Sequence, residues 1–85
     1  MSALGKASAI LKGQGWENTF TGAIQHPKIH SMDLPVHKSV YAHPDGRAMH
    51  LRMFYNDYDT VILETPEGPS MLHHTQLTRE TLCPH

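Results

Sequence analysis

Disulfide chemistry is the first thing this chain lacks. Cys83 is its only cysteine, so no internal bridge can form, and a reducing, cytoplasmic setting is the simplest reading. Long apolar runs are missing too. No stretch of 18 apolar residues occurs, which leaves no helical membrane span. Met1–Gly15 has no uninterrupted apolar segment and does not read as a signal peptide. Nor is there an excess of charge of one sign: seven Lys and Arg stand against eight Asp and Glu, a net −1 with neutral histidine. Non-specific nucleic-acid binding needs several clustered cations to neutralise phosphates, so that class is disfavoured.

Catalytic and cofactor signatures are also absent. There is no Gly-x-Ser-x-Gly, hence no nucleophile elbow. Gly13-Gln14-Gly15 belongs to neither of the glycine-rich phosphate cradles and is better explained as a helix stop. Asn56-Asp57-Tyr58-Asp59 starts like a calcium loop. It then fails where Ile62 stands for the required glycine and Gly68 for the closing glutamate, so it reads as a turn. Cys83 lacks any visible neighbour that would lower its thiol pKa. With 85 residues the chain makes one small domain, residues 1–85, that buries about 60–65% of its extended-chain surface. A core of that size contributes about 3–5 kcal/mol net, which favours a shallow working face over a deep pocket. No cofactor is expected.

Histidine is what the chain has in excess: eight, at positions 26, 30, 37, 43, 50, 73, 74 and 85. Adding eight charges to −1 gives +7 as the upper bound on protonation, reached only if none is buried or metal-bound. Two histidines four apart on a helix share a face, but Pro27 argues against a helix over His26 and His30. On a strand His73 and His74 would point to opposite sides. Cys83 and His85 share a side of an extended chain but lie at its end, where chains fray. His73, His74, Cys83 and His85 are the metal-ligand candidates, and surface histidines are the plainer account.

The pattern along the chain is α+β. Ser2 is an N-cap, Leu4, Ala7 and Leu11 form an apolar stripe, Lys12 suits a helix C-terminus and Gly13 the stop, which predicts a helix over 3–12. Trp16 is a core anchor. Thr19–Ile24 reads as a strand, with Gly22 marking a bulge or weak point. Residues 25–35, with two prolines and no period, read as a long loop. A meander follows over 36–65: Val36–His43, a Pro44-Asp45-Gly46 turn, Ala48–Tyr55, a second turn and Asp59–Thr65. Ser70–Thr75 reads as one more strand, and 76–85 as a tail with a helical turn. A short N-terminal helix and a three- to five-stranded antiparallel meander are expected. In strand lengths and turns the meander, with Asp-Thr-Val-Ile-Leu-Glu-Thr-Pro-Glu-Gly at 59–68, resembles small SH3-like barrels. That resemblance implies a fold and no function.

A side-chain period of two allows the register to be argued. Pairing His43 with Ala48 sets Val40 opposite Leu51, and pairing Tyr55 with Asp59 sets Leu51 opposite Leu63. Val40, Ala42, Met49, Leu51, Met53, Val61 and Leu63 then share an apolar face, with Met49 and Met53 as core filling. The other face carries His37, Ser39, Tyr41, His43, His50, Arg52, Phe54, Ile62 and Glu64, with Tyr41 opposite His50 and His50 opposite Glu64. Tyr41, His43, His50, Arg52, Phe54 and Glu64 are its partner-binding candidates. Its plain reading is a solvated face with a cross-strand ion pair. Its sharper reading is a protein-recognition face, since aromatic and Arg side chains on a rigid sheet match hot-spot chemistry. On that reading the chain is a small non-catalytic binding protein: an adaptor, regulator or inhibitor. Open sheet edges add a homodimer as an expectation. The alternative is a small histidine-based metal-binding protein or metal-dependent enzyme.

Overall fold

The computed structural model describes residues 2–29 and 32–82, with side chains for 2–24 and 36–82. Helix α1 (Ala3–Gly13) starts where expected: the Ser2 side chain accepts the Gly5 amide at 3.0 Å. Its fully buried residues are Ala3, Ala7 and Leu11, with Leu4 and Ile10 packed beside them. The buried stripe is thus turned slightly from the expected one, and two alanines let the helix sit close to the sheet. The helix runs through Gly13, one residue past the expected end, and the left-handed stop is not Gly13. Gly15 takes the left-handed conformation (φ 88°), and the Gly15 and Trp16 amides bond back to the Lys12 and Leu11 carbonyls, closing the C-terminus.

Five antiparallel strands follow in sequential order: β1 (Glu17–Ile29), β2 (Met32–Ala42), β3 (Ala48–Phe54), β4 (Thr60–Thr65) and β5 (Gly68–His73). A 3-10 turn (His74–Gln76) and a short helix α2 (Arg79–Leu82) end the described chain. The helix and antiparallel meander are as read from sequence, but the sheet is open. Its edges, β1 and β5, do not meet, so there is no SH3-like closure.

The expected loop over 25–35 is instead a continuation of strands. Gln25 pairs with Pro35, His26 with Leu34 and Ile29 with Met32, making β1 and β2 one long hairpin. The last residue of β2 paired to β3 is Val36, so this part runs past the sheet as a two-stranded ribbon. Prolines are tolerated there because each strand has one side with no neighbour to receive an N–H. The expected bulge at Gly22 lies instead between Asn18 and Phe20.

One register expectation holds and one fails. Leu51 pairs with Leu63 and Arg52 with Ile62, as read for the second hairpin. In the first hairpin Ala42 pairs with Ala48, Tyr41 with Met49 and Ser39 with Leu51, one residue away from the reading. The cause is the turn. His43 bonds to Arg47 through its amide, Gly46 bonds back to the His43 carbonyl, and Gly46 has φ 95°. This is a three-residue loop, Pro44-Asp45-Gly46, with a left-handed glycine that makes the bulge. Reading four loop residues instead of three flips every β2 side chain. The Arg47 amide donates to Asp45 Oδ1 at 3.0 Å and its Nε reaches Oδ2 at 2.6 Å. The amide bond foremost, helped by the guanidinium, holds the Asp45 carboxyl below its ordinary range.

β2 therefore sends Tyr41, Ser39 and His37 toward α1. Tyr41 is 2% exposed, and its hydroxyl donates to Ser8 Oγ at 2.6 Å; burial is tolerated because the polar tip is satisfied. Ser39 Oγ lies 3.3 Å from Thr21 Oγ1. The core between sheet and helices consists of Ala3, Ala7, Leu11, Trp16, Tyr41, Leu51, Val61, Leu63, Leu77 and Leu82. Leu77 and Leu82 draw the segment after β5 into that core, where the sequence suggested a tail.

Candidate functional site

The first three strands and β4–β5 place defined side chains on the sheet side opposite α1. One row crosses all five strands through direct partners: Gly22, Lys38, Arg52, Ile62 and Met71. A second contains Phe20, Val40 and His50, and on the other half Glu64 and Pro69. A third contains Ile24, Val36 and Phe54. Both helices contribute their buried residues to the core on the other side, so no described helix covers these rows, within which Val36 and Ile62 are themselves buried.

Glu64 is the electrostatic centre of this face. One of its oxygens pairs with the Arg52 Nη2, and the other lies 3.8 Å from His50 Nδ1. The cross-strand group that the β3–β4 register predicts is thus present. Lys38 stands directly opposite Arg52, so the rows hold two permanent cations and Glu64 as their carboxylate. Apolar surface flanks the charges. Phe20 is 45% exposed and Met71 61%, at opposite edges of the sheet. The Phe20 ring lies over Gly22, where an added Cβ would come within 3.0 Å of its Cζ. Glycine at that position gives the ring its seat.

Of the six partner-binding candidates, the structure brings four together: His50, Arg52, Phe54 and Glu64. Tyr41 is on the buried side, because the turn reverses β2, and it faces Met49 rather than His50. His43 follows β2 and serves the turn. Its ring meets Trp16 edge-on at 5.2 Å, its Nε2 donates to the Gln14 carbonyl at 3.3 Å, and its Nδ1 lies 3.2 Å from Asp45 Oδ1. Ile62 was read onto this face from the β3–β4 register, whereas Phe20, Lys38 and Met71 were not. Strand-to-strand register is what joins them, and only the β3–β4 part of it was legible.

Compared with protein-family models, curated proteins and solved structures, the chain matches none.

The metal candidates fare differently from expectation. β5 ends at His73, so His73 and His74 do not alternate; their rings approach to 4.4 Å. His73 is committed to capping the 3-10 turn, with Nδ1 accepting the Thr75 amide and the Gln76 side chain accepting the His73 amide. The His74 carbonyl accepts Lys6 Nζ at 2.8 Å. Cys83 and His85 lie outside the described residues, as does His30. Among the described residues no three His, Cys, Asp or Glu side chains gather as a metal set, and no helix is long and apolar enough to cross a membrane.

A groove of about 480 Å³ opens beside Trp16, Met49, Leu63 and Leu82, with Arg47 and Glu67 at its polar parts. It lies where β3 and β4 part, since only two residue pairs join these strands. The Arg47 guanidinium sits 5.1 Å from the Trp16 ring centre, a cation–π contact that packs one wall.

Proposed function

We propose that this chain is a small non-catalytic binding protein, an adaptor, regulator or inhibitor, that docks on a protein partner through the helix-free face of its sheet. The observation that carries the reading is the pairing of exposed apolar side chains, Phe20 and Met71, with a central charged group, Lys38, Arg52, His50 and Glu64, on one rigid surface. Aromatic anchors and arginine on a preorganised sheet are the chemistry of interface hot spots. Two permanent cations against one carboxylate make the centre of the face positive. The partner it fits presents apolar surface with acidic groups, since opposite potentials favour encounter and like ones oppose it. A face-to-face pair of identical chains would set positive centre against positive centre.

The test combines capture with affinity. Tag-free protein from native-host lysate, cross-linked and resolved by mass spectrometry, identifies a stoichiometric partner, and titration calorimetry with that purified partner measures the variants. Phe54→Ala and Arg52→Ala are expected to weaken binding about 30-fold or more, or about 2 kcal/mol, while Lys12→Ala on the exposed end of α1 leaves it unchanged. Equal affinity for all three variants would place the interface elsewhere.

A further inference from the structure

We propose that two copies of this chain join through their β1 edges, antiparallel about a two-fold axis at Gly22, to form one continuous ten-stranded sheet. The proposal shares Phe20 with the helix-free face but rests on the contrast between the two edges of the sheet. β5, six residues long, carries Pro69, which has no N–H to offer a neighbour. It is guarded. β1 is thirteen residues long, with its own proline, Pro27, near its far end, and from Asn18 to His26 it carries no proline, Asp, Glu, Lys or Arg. Lys or inward charge is the usual protection of such an edge, and β1 has none over this stretch. From Phe20 to His26 its pairing with β2 is unbroken, so its outer backbone groups lie in a regular row that a second strand can meet.

The sequence of the edge selects both the occupant and the register. Residues directly opposite in a sheet share a face, so a two-fold antiparallel pair must set one residue against itself. With Gly22 at the axis, Phe20 faces Ile24 of the partner subunit, and Thr21 faces Ala23 of the partner subunit. Apolar then meets apolar on the helix-free side, and small exposed side chains meet on the other. With Ala23 at the axis, Phe20 would face a histidine and Ile24 a glycine. With Thr21 at the axis, the bulge at Asn18–Phe20 would fall inside the pairing. Gly22 at the axis avoids both and sets no side chain at the crossing point, where each Phe20 ring already lies over its own Gly22. Guarded β5 edges at both outer ends stop the pairing at two copies, giving a closed assembly rather than a filament.

Thr21 and Ala23 are both exposed. Thr21 gives up its hydroxyl contacts to Asn18 and the buried Ser39 when changed, a loss that the glutamate and lysine variants share. In the proposed register each faces the other across the axis, twice. Sedimentation velocity and light scattering over a concentration series are expected to show a monomer–dimer equilibrium for the native sequence. Thr21→Glu with Ala23→Glu sets carboxylate against carboxylate at both positions and should raise the dissociation constant at least tenfold, with the circular dichroism spectrum unchanged. Thr21→Lys with Ala23→Glu sets opposite charges face to face at both positions and should dimerise at least as well as the native chain. A native chain that stays monomeric up to millimolar concentration overturns the proposal. So does a dimer that survives the double glutamate change, or one that only Phe54→Ala or Arg52→Ala dissolves.

Discussion

Leu51→Ala is expected to destabilise the protein by about 2–5 kcal/mol, read as a shift in the urea or thermal midpoint. Leu51 is 0% exposed, among the largest fully buried side chains. It faces Ser39 on one side and Leu63 on the other, at the centre of the sheet and under α1. Truncation removes transfer free energy and leaves a cavity that neighbours on three strands cannot fill together, because their backbones are tied by ladder bonds. The neighbouring residue supplies the contrast: Arg52 lies on the other face, and Arg52→Ala should cost much less stability. A reversed ranking would mean that β3 presents its other side to the helices.

Trp16→Ala is expected to cost about 3–5 kcal/mol. Trp16 is 5% exposed and belongs to the core cluster with Leu11, Leu63 and Leu82. Its ring also meets His43 edge-on and lies under the Arg47 guanidinium, so it ties the end of α1 to the turn between β2 and β3. Chemical denaturation followed by circular dichroism measures the loss, and Trp16→Phe should recover part of it by restoring ring area. A loss below about 1 kcal/mol, the size of an ordinary surface-to-moderate change, would show that the indole is dispensable to the core.

What could be read from the amino acids follows from which rules act locally. The cap at Ser2 and the Leu11 side of α1 were legible because capping and helical periodicity are short-range. The β3–β4 register was legible because Leu51 and Leu63 centre unambiguous apolar alternation. β2 misled because its two sides are nearly balanced: Val36, Val40 and Ala42 on one, His37, Ser39 and Tyr41 on the other. Hydrophobic pattern favours burying the first set. The three-residue loop with left-handed Gly46 instead turns the second toward α1, where Tyr41 accepts burial through its bond to Ser8, while Val36 is buried on the other side. The ribbon over 25–35 was missed for the opposite reason. Pro27 and Pro35 argue against a central strand, and they sit where β1 and β2 have only each other. Of the candidate site, the charged group of His50, Arg52 and Glu64 was legible. The flanking Phe20 and Met71 were not, because they join it only through five strands of register.

The ladder between β3 and β4 consists of two residue pairs, Leu51–Leu63 and Arg52–Ile62, whereas seven join β2 to β3 and six join β4 to β5. The sheet is in this sense two leaves stitched at one point, with α1 resting on both. Cooperative opening follows such seams, at a free energy below that of global unfolding. The leaf of β4 and β5, six residues a strand and carrying the segment up to Leu82, is the natural unit to detach, and its amides set the lower tier of hydrogen-exchange protection. The β1–β2–β3 leaf, held by long ladders, sets the upper one. A small protein with one core thus has two stability levels, and the Arg52–Glu64 ion pair bridges the boundary between them.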